Sequence, residues 1–462
     1  MPDVTGPTSF RSPERLAEAV DILATHVAAF EYPSLPAAAR ERLRLMLTDL
    51  FGVTLAGMRT PELRALVGAW HLPPGDEPIT GTPLRSTAET STYISAIAAC
   101  VLELDEGNKY AAGHPAAHVL FAAVAAALQS STGVSGSQFL TAVAAGYEVA
   151  ARFGRATDRH PEWHTHGHWG ATGAATASAL LLGAGPAQVA TAIDASTGLM
   201  LVTPWATVLS GDFTRNLWLA GANMAGVHAA RLALAGLVEN TGSAQHSLGA
   251  IVGTLDHGLL VKDLDGRLLL AEGYLKRHTS CSYTHAAVDI VQALRAAGTW
   301  STRDIAAVQV TTSSLASTLL GRHPRNRLAA MFSLPFVVSN AVVNGSVDPT
   351  TMQPGSEPFR AAEEFSGRVH VDVSPRLDAY LPDRRCTEVA IEFTDGTSVG
   401  LGQPNPIGDS SHFPLTQSDV HRKLSSLVGA PATGRIESLV AALPDAPSAA
   451  AVLTELAGVQ MA

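Results

Sequence analysis

Residues 116–128 read Ala-Ala-His-Val-Leu-Phe-Ala-Ala-Val-Ala-Ala-Ala-Leu, apolar or small on nearly every side, and residues 170–182 repeat the character as Gly-Ala-Thr-Gly-Ala-Ala-Thr-Ala-Ser-Ala-Leu-Leu-Leu. A surface helix carries one apolar stripe, whereas a segment apolar all round is enclosed by other helices. The two stretches therefore predict a large helical layer in which alanine and glycine let neighbours approach closely. Working outward, Leu43, Met46, Leu47, Leu50 and Val53 share one helix face, and Phe139, Leu140, Val143, Tyr147 and Ala150 share another. Ser135 and Gln138 stand at capping-box spacing before the second. This helical text runs from about residue 13 to 270.

Beyond Leu270 the period becomes two. Ile305, Val308 and Val310, then Val369, Val371 and Val373, then Val389, Ile391 and Phe393 alternate, and Asp395-Gly396 is a hairpin turn before Val399 and Leu401. Helical stretches at 285–297 and 328–343 lie among these strands, and helical pattern resumes after Pro414 with Val420, Leu424, Leu427, Ile436, Leu439 and Leu443. The expected fold is mostly α: a large all-helical domain, residues 10–270 and 403–460, plus a smaller α+β lid domain, residues 271–402.

Of the 462 residues 46% are apolar and 16% charged, and 31 basic against 41 acidic side chains give a net charge of −10. Such a chain offers no positive field to a phosphate backbone or anionic lipid, so nucleic acid and membrane are not expected as partners, and an anionic ligand needs a local site. The longest apolar run, 119–128, is too short for a bilayer, which takes about 20 residues. Residues 1–15 are polar, with Pro2, Pro7 and Pro13, and lack the apolar core of a secretory signal. Cys100, Cys281 and Cys386 are scattered without CxxC spacing, which fits a reducing cytoplasm rather than a disulfide framework or zinc knuckle.

Three stretches carry the chemistry. In the first, Glu103-Leu104-Asp105-Glu106-Gly107-Asn108-Lys109-Tyr110 precedes Gly113-His114-Pro115. Proline favours the first helical position, so His114 is expected at the N-cap, beside amides that attract a carboxylate. Asp105 and Glu106 put acids within reach of it, although the same acids also suit a merely capped and solvated loop. In the second, Trp163-His164-Thr165-His166-Gly167-His168 alternates histidines that extended chain would place on one side, open to a transition metal or to metal-free acid–base work. The third, Tyr274-Leu275-Lys276-Arg277-His278-Thr279-Ser280-Cys281-Ser282-Tyr283-Thr284-His285, falls where the period changes, a favoured place for a cleft. Lys276 and Arg277 there, with Arg215 of Thr214-Arg215-Asn216, are candidate carboxylate clamps, while ordinary surface cations opening helices are the plainer alternative. Cys281 reads as a small packed residue.

At these residues the chain resembles the MmgE/PrpD family of 2-methylcitrate dehydratases, cis-aconitate decarboxylases and iminodisuccinate epimerases. The likeness is carried by L-E-L-D-E-G-N and G-H-P within 102–115, G-Y-E-V-A-A-R at 146–152, W-H-T-H-G and G-A-A-T-A within 163–177, T-R-N-L at 214–217, L-K-R-H-T-S-C and T-H within 275–285, and F-S-L-P-F at 332–336. It implies a homodimer with no metal or cofactor, acting on a small carboxylate. It also implies Asp105, His114, His164 and Lys276 as catalytic residues, with Glu106, Asn108, His166, Arg215, Arg277 and His285 around the substrate. Three positions depart from the family's pattern: Asp105-Glu106-Gly107-Asn108 stands where many members have Asp-Asp-Thr, Arg215 where some have lysine, and Thr279 where proline is common.

The chemistry so implied is removal of a proton from carbon next to a carboxylate by His114 or His164, in a lyase resembling 2-methylcitrate dehydratase. An epimerase of an amino- or imino-dicarboxylate, a cis-aconitate-type decarboxylase, and a hydrolase with a metal on His164, His166 and His168 are the alternatives. Residues around Phe336, His323 and Arg327 are expected to shape the pocket.

Overall fold

The computed structural model describes residues 12–201, 203–298 and 300–461, so the reading of the first eleven residues lies outside the described ones. Eight helices build the first layer: α1 (Pro13–Ala28), α2 (Ala37–Met58), α3 (Ala88–Cys100), α4 (Pro115–Gln129), α5 (Gly136–Ala156), α6 (Gly170–Leu181), α7 (Pro186–Ser196) and α8 (Thr214–Leu234). The fully apolar segments are α4 and α6, and α6 packs against α4, α5, α7 and α8 at once, which is why no side of it is polar. Its crossing with α5 brings backbones together: a Cβ on Gly173 would lie 2.3 Å from the Gly146 carbonyl oxygen. The expected capping box is present, with Ser135 Oγ accepting from the Gln138 amide and Gln138 Oε1 from the Ser135 amide. Phe139, Val143 and Tyr147 behind it are wholly buried, each contributing roughly 1.5–3 kcal/mol.

Two short antiparallel ladders interrupt the helical layer, Glu77–Pro78 with Arg85–Ser86 and β1 (Thr157–Arg159) with β2 (Gly253–Leu255). The second turns the chain directly before the histidine stretch and sets Arg159 at its end.

A second hydrophobic core holds the mixed sheet β3 (Ile305–Thr312), β4 (Val369–Val373), β5 (Thr387–Phe393) and β6 (Ser398–Gln403), in the order β4-β3-β5-β6. Val308 pairs with Val369 in parallel and with Ile391 antiparallel. Gly396, at φ +88°, makes the expected hairpin into β6. Helices α9 (His285–Ala297) and α10 (Leu334–Asn344) cover this sheet, yet Val399 and Leu401 stay exposed on the edge strand. The single helix expected over 328–343 is two: Arg327–Met331 ends at Phe332, and Ser333 caps α10 by accepting the Phe336 amide, with Pro335 in its first turn. The chain then returns to the first core. Leu424 of α11 (Gln417–Val428) lies against Gly52 of α2, and Lys423 Nζ donates to Asp49 Oδ2 at 2.8 Å and to the Leu104 carbonyl at 3.1 Å. Among the described residues no helix is long and apolar enough to cross a membrane.

Candidate active site

A cavity of about 170 Å³ opens where the two cores meet, lined by Glu103, Asn108, His114, Arg159, His164 and Arg215 from the helical side and by Tyr283, Phe332, Leu381 and Arg385 from the other. The loop at 103–113 is held in an unusual shape. Glu103 and Ala112 have left-handed backbones, φ 52° and 49°, a costly conformation for residues with a Cβ that tends to gather at functional sites. Asn108 Oδ1 accepts the amides of Tyr110 and Ala111 while its Nδ2 donates to the Leu269 carbonyl, and Gly107 exchanges two backbone hydrogen bonds with Tyr274. A Cβ at 107 would lie 2.3 Å from the Tyr274 hydroxyl, so any residue larger than glycine would displace that ring. That tie brings residue 105 to residue 276.

Four buried charges stand at the inner end of the cavity, Glu103 and Arg215 lining it and Asp105 and Lys276 behind them. Glu103 bridges Arg215 and Lys276, with 3.2 Å to Lys276 Nζ, and Lys276 lies 3.4 Å from Asp105 Oδ1. Burial alone would raise the Asp105 pKa, but His114, Lys276 and Arg215 outweigh it and hold the carboxyl below its usual range. Burial likewise opposes the charge of Lys276, and Asp105 and Glu103 more than restore it. Two acids and two bases thus neutralise one another. Lys276 is fully buried, does not line the cavity and faces Asp105 and Glu103.

The two lining histidines differ in which nitrogen carries the proton. His114 Nδ1 sits 2.5 Å from the Glu106 carbonyl and 3.4 Å from Asp105 Oδ2, both acceptors, so Nδ1 is the N–H and Nε2 keeps the lone pair. His164 Nδ1 accepts the His166 amide at 3.2 Å, so its Nε2 carries the hydrogen. Burial lowers the pKa of both, His164 well below the usual value with help from Arg215 and Arg159, so both rings are neutral at pH 7. Trp205 and Phe332 meet His164 edge-on at 4.6 and 6.2 Å and fix its plane.

The remaining candidates are placed differently. Glu106 does not line the cavity; its Oε1 accepts the Ala116 amide, so the helix start after His114 already holds an internal carboxylate and does not await a substrate's. Burial raises the Glu106 pKa well above the usual value. His166 is packed behind the wall between His114 and His164, at ring distances of 5.0 and 4.6 Å, with neither nitrogen hydrogen-bonded. Arg277 turns to Asp289 at 3.4 Å, and His285 contacts the Ser280 carbonyl at 3.1 Å, both away from the cavity. Arg215 is wholly buried, which removes the surface-cation alternative. Phe336 lies in the sheet core, His323 is exposed and Arg327 pairs with Glu62; the cavity is shaped instead by Phe332, Leu381 and Pro382. Burial pushes the Cys281 thiol up to about 11, so it is no nucleophile at neutral pH.

The alternating histidines do not converge as metal ligands, because His168 Nε2 turns back to the His164 carbonyl at 2.6 Å. Asp105, His114 and His166 do offer ligand atoms within 4.8 Å of one another. A dication there would stand beside Lys276 and Arg215, so like charge opposes it and the group suits a proton better. Arg159 and Arg385 escaped the sequence reading, because a single charge in a loop has no periodic or spacing signal, and Glu103, although inside the first stretch, was given no role there.

The profile of the MmgE/PrpD N-terminal domain matches residues 21–252 and that of the MmgE/PrpD C-terminal domain residues 278–443, together most of the chain. No curated protein matches the sequence.

Proposed function

We propose, since the chain belongs to the MmgE/PrpD family and its membership supports a dehydratase, lyase or related activity, that the cavity eliminates water from a small hydroxy-polycarboxylate after removing a proton next to a carboxylate. His114 Nε2 is the base. The imidazolium that forms is stabilised by Asp105 at 3.4 Å, which Lys276 and Arg215 keep ionised. His164, neutral and with hydrogen on Nε2, donates to the oxygen on which enediolate charge develops; a neutral imidazole serves there as an electrophile. The C–O bond then breaks as the C=C bond forms, and the proton on His114 passes to the departing hydroxide as water, returning His114 to its starting state. One residue thus takes and gives the proton.

The observation that carries this reading is the amide of His166 bound to His164 Nδ1. An epimerase needs a second base across the carbon, and the tautomer of His164 withholds one. Proton NMR in deuterated buffer with a panel of hydroxy-di- and tricarboxylates tests it. Replacement of the substrate's signals by those of an alkene is expected, vinylic where the double bond keeps a hydrogen, together with new ultraviolet absorbance from the conjugated double bond. Deuterium uptake with inverted configuration and no alkene would favour epimerisation, and CO2 release would favour decarboxylation.

A further inference from the structure

Two guanidiniums in the cavity wall are poorly compensated: Arg159 has no ion pair among the described residues, and Arg385 has only a long contact to an acid that Lys109 also holds. Arg159, partly buried, donates Nε to the Trp163 carbonyl at 2.6 Å and makes no ion pair among the described residues. Its neighbour Asp158 is exposed. Arg385 is 7% exposed and lies over the Tyr274 ring at 4.5 Å, and its Nε and Nη2 make no hydrogen bond. Its one acidic neighbour, Asp409 Oδ2 at 3.8 Å from Nη2, is already committed to Lys109 Nζ at 3.3 Å, and Asp409 Oδ1 accepts the Ser411 amide. Asp383, two residues before Arg385, has its carboxylate bound by the Tyr110 hydroxyl at 2.8 Å. The inner four charges cancel and Lys109 cancels Asp409, so the cavity is left with two positive charges, at Arg159 and Arg385. Both line the same cavity, as does Tyr283. Cations taken out of water with so little compensation are costly unless an anion joins them.

We infer that Arg159 and Arg385 form an anion subsite in the cavity wall, and that its two charges match a dianion, a dicarboxylate or the dicarboxylate part of a larger acid. Arg159 stands at the end of β1 in the helical body and Arg385 on the sheet side, so an anion held by both fastens the two parts over the substrate. The sequence reading assigns this work to Lys276, Arg277 and Arg215, of which Lys276 and Arg215 are compensated by internal acids and Arg277 faces away. The inference rests on the carbon-acid reading only for placing the reacting carbon at His114.

Calorimetric titration of the whole protein with succinate and with butyrate, equal in carbon number but differing in one carboxylate, tests it without turnover. Succinate is expected to bind at least tenfold tighter. Arg159→Gln and Arg385→Gln should each raise the succinate Kd about tenfold or more and erase most of the preference over butyrate. Arg385→Lys, which keeps charge but not the fork, should fall between, and exposed Arg376→Gln should match the wild type. Wild-type Kd values for succinate in both folded glutamine variants, or no binding of succinate, glutarate or tricarballylate by the parent at millimolar concentration, would overturn the subsite. If binding depends on both arginines while no acid in the deuterium panel reacts, the subsite stands and the elimination falls.

Discussion

His114 and His164 have the same ring in the same state of charge, and their different tasks follow from what holds Nδ1. His114→Gln is expected to lower kcat by about 10²–10⁴-fold with little change in substrate affinity, measured by steady-state kinetics. Because burial lowers the His114 pKa, the acid limb of kcat/KM should lie below the usual histidine value of about 6.5. Asp105 works against burial and raises it, so Asp105→Asn should slow the reaction and move that limb to still lower pH; an upward move would refute the pairing. Cys281→Ala should keep activity within about twofold, since a thiol at about 11 supplies no thiolate. Asp105, His114 and His164 were legible because they stand in dense runs of titratable residues. Which nitrogen bears hydrogen was not, because a backbone amide two residues away decides it, and nor were Arg159 and Arg385, whose worth depends on what fails to pair with them.

Among the elements, α6 carries the histidine stretch into place. It begins at Gly170, where a Cβ would lie 2.3 Å from the His118 ring, and passes α5 at Gly173 and α8 at Gly226, where a Cβ would come 2.5 Å from the Ala175 amide. Gly173→Ala is expected to cost about 1–3 kcal/mol in urea unfolding and to depress activity as well, because the shift it forces is transmitted to residues 164–168. An unchanged stability would mean that the helices separate freely. The identity of α4 and α6 could be read from their apolar sides, and the four main strands from alternation. The break at Phe332 was overlooked although Ser333 and Pro335 are start signals, since apolar residues on both sides of it continue the helical pattern. The exposure of Val399 and Leu401 was hidden for another reason: alternation marks a strand but does not say whether anything covers its apolar side.

At the scale of the molecule, six buried histidines, His114, His118, His164, His166, His168 and His285, have pKa values lowered by burial, to about 4 for His118 and about 3 for His168. An unfolded chain protonates them near 6.5 while the folded one resists, so their contribution is intact above about 6.5 and is lost as pH falls toward the folded values. Calorimetry should show Tm dropping steeply from pH 7 to pH 4.5, and a flat profile would contradict the neutral cluster. Lys423→Ala, which strands the buried Asp49 carboxylate, should cost about 3–5 kcal/mol at pH 7 by urea titration. That contact spans 374 residues of chain. At roughly 5–20 residues per second of synthesis, α2 therefore waits about 20–75 s on the ribosome for the segment that covers it. Until then the flank of α2 that faces α11 stays uncovered, and a chain that stops before residue 417 leaves the buried Asp49 without its cation.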